Sequence, residues 1–113
     1  MADDRHALGA HGEALAAQWY EARGFVVLAR NWRCSIGELD LVVGGSGLVV
    51  FCEVKTRSST AYGGAVAAVS PSKRRRIRRL AAEWLRSHDR RAEVRFDVAA
   101  VDATRVTVVE DAF

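Results

Sequence analysis

The sequence has few of the features that would place it in a membrane or outside the cell. Its longest apolar run, residues 39–51, is interrupted by Asp40 and by the glycine-rich residues 44–47. It therefore falls short of the roughly 20 consecutive apolar residues that a membrane-spanning helix needs. The first residues include Asp3 and Asp4 and lack the apolar core of a signal peptide. We therefore expect a cytoplasmic protein without membrane contact.

Cysteine and histidine are also sparse, which argues against zinc sites and disulfide frameworks. Neither Cys34 nor Cys52 belongs to a Cys-x-x-Cys pair, and the three histidines form no closed ligand set with them. Cys52 lies in a predicted buried strand, so we expect both cysteines to be reduced and to pack as small hydrophobic groups. Since no serine lies in a nucleophile elbow, a serine hydrolase is disfavoured as well.

The chain has an ordinary globular composition with an uneven distribution of charge. Its 113 residues, half of them hydrophobic, predict one domain over residues 1–113. The net charge is +3, but residues 71–90 alone contribute +6 (eight basic minus two acidic residues), which leaves −3 elsewhere. Such a basic segment favours a polyanionic partner, although solvated helices also carry such charge. Its basic residues are Lys73, Arg74, Arg75, Arg76, Arg78, Arg79, Arg86 and Arg90.

Hydrophobic periodicity predicts an α/β fold with a mixed central sheet flanked by helices, in the order α-β-β-β-α-β-β. A first helix is expected over residues 6–23, with an apolar stripe formed by Leu8, Gly12, Leu15 and Trp19. A second helix is expected over residues 71–88, with Ser70 as its N-cap. Strands are predicted over residues 25–32, 38–43, 48–55, 94–101 and 105–109, and a loop over residues 56–70.

The central hairpin carries charged side chains where a sheet usually buries apolar ones. Because side chains alternate along a strand, Glu38, Asp40, Glu53 and Lys55 are expected on the face opposite the aliphatic residues. If residues 44–47 form the turn, Glu38 lies opposite Glu53, with Asp40 one diagonal step away. The core face of this hairpin is predicted to contain Leu39, Leu41, Val43, Leu48, Val50, Cys52 and Val54.

These carboxylates have two interpretations. One is a solvated sheet face on which Lys55 and a nearby arginine pair with the acids. The other is a divalent-metal site, because carboxylate oxygens suit Mg²⁺ or Mn²⁺. In that case Asp40 and Glu53 would bind the metal and Lys55 would position water for hydrolysis of a phosphodiester. Glu13, on the flank of the first helix's apolar stripe, would supply an outer ligand.

In the hairpin, Asp40 is followed 13 residues later by Glu53-Val54-Lys55. This spacing resembles the core motif of the restriction-endonuclease-like superfamily, often written PD-(D/E)xK. A longer set of residues runs in order along nearly the whole chain: Gly9-x-x-Gly12-Glu13, Asn31-x-Arg33, Gly37-Glu38-Leu39-Asp40-Leu41, Phe51-Cys52-Glu53-Val54-Lys55-Thr56-Arg57, Tyr62-Gly63, Lys73 and Arg95-Phe96-Asp97-Val98. This set resembles the YraN-like family of predicted endonucleases. Cys52 departs mildly from the pattern, since an aliphatic residue is more usual there.

The resemblance implies a variant of the nuclease fold similar to archaeal Holliday junction resolvases. It places Asp40, Glu53 and Lys55 on the family's catalytic positions, Glu13 on its helix acid, and Glu38 on a motif position without an assigned role. The expected activity is Mg²⁺- or Mn²⁺-dependent cleavage of DNA, including branched DNA. A nucleic-acid-binding or protein-interaction module without turnover is the alternative.

The expected nucleic-acid contacts follow from the basic segment and the end of the hairpin. They would bind phosphates, giving affinity without sequence readout. A homodimer would suit symmetric junctions, but the sequence leaves the oligomeric state open. The expected contact residues are Arg57, Lys73, Arg74, Arg75, Arg76, Arg78 and Arg79.

Overall fold

The computed structural model describes residues 4–57 and 64–113, without the side chains of residues 4–8, 57 and 65. It confirms an α/β architecture in the predicted order, with one short helix added inside the predicted loop. None of the described helices is long and apolar enough to cross a membrane. The elements are α1 (Asp4–Glu21), β1 (Val26–Cys34), β2 (Gly37–Gly45), β3 (Leu48–Arg57), α2 (Gly64–Ala67), α3 (Pro71–Ser87), β4 (Glu93–Asp102) and β5 (Arg105–Val109).

The five strands form one mixed sheet whose spatial order follows the chain, β1-β2-β3-β4-β5. Neighbouring strands are antiparallel except for β3 and β4, which are parallel. Parallel neighbours need a long crossover, and α2 and α3 supply it here. The start of α3 therefore lies in the connection that leaves the end of β3.

Helix α1 packs on one face of the sheet through two alanines and one tyrosine. Its Ala16, Ala17 and Tyr20 are fully buried against the cluster that contains Leu41 and Val50. The predicted stripe is therefore partly wrong, because Leu15 and Trp19 are only half-buried. Larger side chains on the buried face would hold the helix away from the strands, whereas alanine allows close approach.

Helix α3 packs on the opposite face and begins as predicted. Ser70 Oγ accepts a hydrogen bond from the backbone N–H of Lys73 at 3.2 Å, and Pro71 occupies the first turn, where its missing N–H costs nothing. Its buried residues pack against Phe51, Val98 and their neighbours on the sheet. Those residues are Ile77, Leu80, Ala81 and Trp84, while Leu85 is half-buried.

Asp97 is fully buried in β4, at the face that α1 covers. Its carboxylate accepts hydrogen bonds from the Tyr20 hydroxyl at 2.6 Å, from Arg95 at 2.8 and 2.9 Å, and from the backbone N–H of Asp111 at 3.0 Å. A buried charge needs this many partners to be tolerated. Asp97 therefore ties α1 and the C-terminal residues to β4.

Candidate functional site

The β2–β3 hairpin turns more tightly than the sequence suggested. Its two turn residues are Ser46 and Gly47, whose φ angles are 54° and 79°. A two-residue hairpin turn of type I′ requires positive φ at both positions. The predicted four-residue turn over residues 44–47 is therefore wrong. Gly45 pairs with Leu48, so the register differs by two residues from the predicted one.

This change of register alters which carboxylates meet. The regular pairing runs from Gly45–Leu48 to Leu41–Cys52, and the next pair in the same register would be Asp40 and Glu53. A shift by two residues keeps the side-chain alternation but changes the facing partners. The observed pairing ends at Leu41–Cys52, so continuing it would set Asp40, rather than the predicted Glu38, against Glu53, and Glu38 instead pairs with Arg33 of β1.

The two strands separate where Asp40 lies. Asp40 Oδ2 accepts a hydrogen bond from the backbone N–H of Val54 at 2.9 Å. The Asp40 side chain thus replaces the backbone carbonyl that would accept this hydrogen bond in a regular strand pair. The prediction that Leu39 shares a face with Leu41 is wrong: Leu39 packs with α3 and Leu41 with α1. We call residues 41–45 and 48–52 the paired part of the hairpin, and residues 38–40 and 53–55 its open part.

Glu53 is the most enclosed carboxylate of the open part. Its side chain is 6% exposed and lies on the α3 side of the sheet, as Phe51 does. Glu53 Oε1 is 2.6 Å from Nζ of Lys73 and 3.6 Å from Nζ of Lys55. The sequence predicted a phosphate contact for Lys73, but nothing in it indicated this ion pair, which depends on how α3 docks on β3.

The titration of these groups reflects their crowding. Burial, followed by the charge of Glu53, raises the pKa of Asp40 to about 7, although the hydrogen bond from Val54 opposes the change. Burial and the charge of Lys73 lower the pKa of Lys55. Burial alone would lower the pKa of Lys73 too, but its hydrogen bond to Glu53 and the charge of Glu53 raise it. The charges of the open part and of Lys73 therefore act strongly on one another.

Two further carboxylates, Glu13 and Glu38, lie on the other side of Asp40. Burial raises the pKa of Glu13, an effect that its interaction with the Asn31 side chain opposes. Glu38 forms an ion pair with Arg33 at 3.5 Å. All of these residues line a cavity of about 450 Å³ between α1 and β2, together with Gly9, Ala10 and Asp40. The resemblance drew attention to Asn31 and Arg33 as motif residues without indicating that they line this cavity.

The donor set suits a hard divalent cation held by few protein ligands. In residues 4–57 and 64–113, no three Asp, Glu, His or Cys side chains form a ready-made metal cluster. Asp40 and Glu53, however, are adjacent carboxylates whose mutual repulsion a cation would relieve. Mg²⁺ often binds through one or two carboxylates and keeps several waters. The residues present therefore fit Mg²⁺ or Mn²⁺ and do not form a closed protein cage.

The arginines of α3 divide between two flanks of the helix. Arg74 donates hydrogen bonds to the carbonyls of Val69 and Val66 at 2.9 and 3.2 Å, and Arg78 stacks over Phe96 at 5.1 Å. On the other flank, Arg76 lies beside Gly37, the first residue of β2, next to the open part. The Arg76 Cδ is 3.5 Å from the position of a Cβ added at Gly37.

The structure shows less about the other residues that are expected to contact nucleic acid. Arg75 and Arg79 are exposed. The Arg57 side chain and the Tyr62-Gly63 motif lie outside the described residues. The structure therefore brings Lys73 to the carboxylates, places Arg76 nearby and directs Arg74 and Arg78 elsewhere.

Comparison with known proteins gives the family. Residues 12–101 match the family described as "Uncharacterised protein family UPF0102". The chain belongs to the UPF0102 family. It is 55% identical over 102 residues to a UPF0102 protein of Beutenbergia cavernae, a match that covers 89% of this chain and 86% of that protein.

Other UPF0102 proteins are nearly as similar. One from Frankia casuarinae is 55% identical over 86% of this chain and 83% of its own length. Another, from Mycolicibacterium gilvum, is 52% identical over 88% and 83%. The family match includes Glu13, Glu38, Asp40, Glu53, Lys55 and Lys73 within its bounds.

Proposed function

We propose that this UPF0102 protein is a Mg²⁺- or Mn²⁺-dependent endonuclease with a restriction-endonuclease-like fold. The observation that carries the proposal is the proximity of Asp40 and Glu53 where β2 and β3 separate: Asp40 accepts a hydrogen bond from the backbone N–H of Val54, next to Glu53, and Lys55 lies 3.6 Å from Glu53. An enclosed carboxylate pair costs folding free energy unless a cation or a proton neutralises it. A site that keeps this cost is a candidate for chemistry.

Asp40 and Glu53 would bind the cation directly, and Glu13 and Glu38 would bind the water molecules around it. Glu38 is held by Arg33, and Glu13 reaches the same cavity from α1. This arrangement suits outer ligands that act through water. A bound divalent cation would supply positive charge against the phosphate oxygens and make nearby water more acidic.

The side chains of the protein would position the remaining reactants. Hydrolysis adds water across one P–O bond of the phosphodiester, so negative charge accumulates on the phosphate oxygens as water attacks. Lys55, fixed on the same strand as Glu53, would orient the attacking water or offset that charge. The cavity beside Asp40 provides room for water or for part of the substrate.

The basic residues near the open part would bind the nucleic-acid backbone. On α3, Arg76 lies beside Gly37 at the edge of the open part, and Arg75 and Arg79 are exposed on the same helix. Such contacts bind phosphates without reading bases, so binding should weaken steeply with salt. Arg74 and Arg78 would contribute less, because their guanidinium groups already contact the protein.

The test is cleavage of linear duplex, four-way-junction and single-stranded substrates in Mg²⁺ or Mn²⁺. Asp40→Asn, Glu53→Gln and Lys55→Met should each reduce cleavage by at least about 100-fold. Glu83→Gln, which removes an exposed carboxylate paired with Arg86, is the matched control and should cleave normally. Cleavage that persists in all three site variants would refute the assignment.

One observation favours a second candidate, a binding module without turnover. Glu53 already has a cationic partner in Lys73, so the scaffold can neutralise this carboxylate without a metal. Calorimetric titration with Mg²⁺ separates the two functions. The endonuclease requires affinity that Glu53→Gln removes, whereas the binding module requires none.

A further inference from the structure

We propose that Lys73 is a positioning residue that occupies the cation's place on Glu53 and exchanges with the divalent metal. The inference rests on the proposed function and adds that Lys73 and the metal compete for Glu53. Lys73 Nζ lies 2.6 Å from Glu53 Oε1, the shorter of the two lysine contacts to that atom. An ammonium group this close occupies a lone pair of Glu53 Oε1 and supplies the positive charge that a metal would supply, so Lys73 and the metal compete for this carboxylate.

The use of lysine in this chain is unusual and points to the same place. Of its 17 basic residues, 15 are arginine and only Lys55 and Lys73 are lysine. Both lysines contact the same oxygen of Glu53. Lysine is a compact point charge on a flexible stem, whereas arginine holds carboxylates with a rigid, bidentate fork. A cation that must leave and return is better supplied by lysine.

The two lysines differ in how firmly they are held. Lys55 is two residues from Glu53 on the same strand and its side chain is 22% exposed. Lys73 reaches Glu53 from the first turn of α3 and its side chain is 37% exposed. Lys73 therefore has solvent on one side and can swing outwards while the backbone stays in place. Lys55 remains beside Glu53 in both arrangements.

Charge balance gives the exchange a direction. When Asp40 and Glu53 are both ionised and no metal is bound, Lys55 and Lys73 balance their charge. A divalent cation on the two carboxylates would leave an excess of positive charge, which favours release of Lys73 towards a phosphate. Lys73 would then lie at the edge of the site that Arg76 also approaches. One side chain thereby serves as the carboxylate's partner before metal binds and as a phosphate contact afterwards.

The test measures Mn²⁺ affinity by calorimetry in the wild type, Lys73→Met, Lys73→Arg and the control Arg91→Met. Removing the competing ammonium should tighten Mn²⁺ binding of Lys73→Met by at least about fivefold. Lys73→Arg keeps a cation on Glu53 and should bind no tighter than the wild type. Arg91→Met removes an exposed positive charge outside the proposed binding surface and should leave the affinity nearly unchanged, so any general electrostatic effect is measured separately.

A second measurement uses the unmodified protein and does not depend on how a variant folds. Acylation of the lysine amines is followed by mass spectrometry with and without Mg²⁺, and Lys55 serves as the internal reference. Release by the metal predicts faster acylation of Lys73 relative to Lys55. An unchanged ratio in protein that binds Mg²⁺ would overturn the exchange.

The outcomes separate this inference from the proposed function. Tighter Mn²⁺ binding in Lys73→Met, together with faster acylation of wild-type Lys73, supports the exchange. Equal Mn²⁺ affinity in the wild type and Lys73→Met overturns the exchange while leaving a metal-dependent nuclease intact. If neither protein binds Mn²⁺ and the wild type cleaves no substrate, the proposed function and this inference fail together.

Discussion

The paired and the open parts of the β2–β3 hairpin share two strands but differ in what lies between them. In the paired part, backbone hydrogen bonds join the strands and both faces carry buried aliphatic side chains, such as Val42 on the α3 face and Val43 on the α1 face. In the open part, the carboxylate of Asp40 accepts the hydrogen bond from the backbone N–H of Val54. This sheet therefore gains stability at one end of the hairpin and places its charges at the other.

The largest predicted effect comes from moving a carboxylate into the paired part. Val50 is fully buried between α1 and the sheet, so Val50→Asp would bury a charge without a partner. We expect a loss of at least about 4 kcal/mol in the free energy of unfolding. Urea denaturation checks this, with Val50→Ala as the control for lost volume alone. A stable Val50→Asp protein would contradict the distinction between the two parts.

The next effect concerns the carboxylate already present in the open part. The pKa of Asp40 is raised to about 7, so folding favours its protonated form. The contribution of Asp40 to stability is then complete below pH 4 and is lost as pH rises towards 7. Asp40→Asn should therefore be more stable than the wild type at pH 8, on the order of 2 kcal/mol, without divalent metal.

Urea denaturation at pH 5 and pH 8, with chelator present, measures the effect of Asp40→Asn. The advantage of the variant should shrink at pH 5, where wild-type Asp40 is largely protonated. Addition of Mn²⁺ at pH 8 should stabilise the wild type and not Asp40→Asn. A variant that is equally destabilised at both pH values would contradict the raised pKa.

A smaller effect is expected where α1 approaches β3 beside the open part. A Cβ added to Gly12 would lie 2.1 Å from Thr56 Oγ1, so Gly12→Ala has to displace that side chain or the helix. We expect a loss of about 1 to 2 kcal/mol. Gly9 lies in the same helix with nothing within 4 Å of an added Cβ. Gly9→Ala should therefore be neutral or slightly stabilising, and thermal unfolding of both variants provides the comparison.

The smallest predicted effect concerns nucleic-acid binding by the arginines of α3 next to the open part. Arg76→Ala should weaken duplex binding several-fold and reduce its salt dependence, because it removes a phosphate contact. Arg78→Ala should change affinity less and lower thermal stability instead, because Arg78 stacks over Phe96. Fluorescence anisotropy across a salt series measures both affinities. Equal losses in the two variants would contradict the division between the flanks of α3.

The difference between the two parts also explains what the sequence could predict. Local patterns were sufficient for the paired strands, for the order of elements and for the start of α3 at Ser70, because periodicity and capping act over a few residues. The turn length was mistaken because three glycines in residues 44–47 allow several turns, and the chosen one uses Ser46 and Gly47. The buried face of α1 was missed because alanines give little periodic signal.

The open part depended on tertiary packing and was less accessible to sequence reasoning. Alternation predicted one face for Leu39 and Leu41, but Asp40 reaches across to Val54 and Leu39 packs with α3 instead. The pairing of Lys73 with Glu53 follows from docking of α3 on β3, which no local pattern encodes. The residues of the candidate site could be proposed from the sequence, whereas the contacts among them could not.

The central claim is that the open part binds a divalent cation between Asp40 and Glu53. Anomalous diffraction from crystals soaked in Mn²⁺ tests it most directly. The account predicts an Mn²⁺ peak about 2.2 Å from an oxygen of each carboxylate, with Lys73 turned away from Glu53. Crystals at saturating Mn²⁺ that show no peak there, and that keep Lys73 on Glu53, would contradict it.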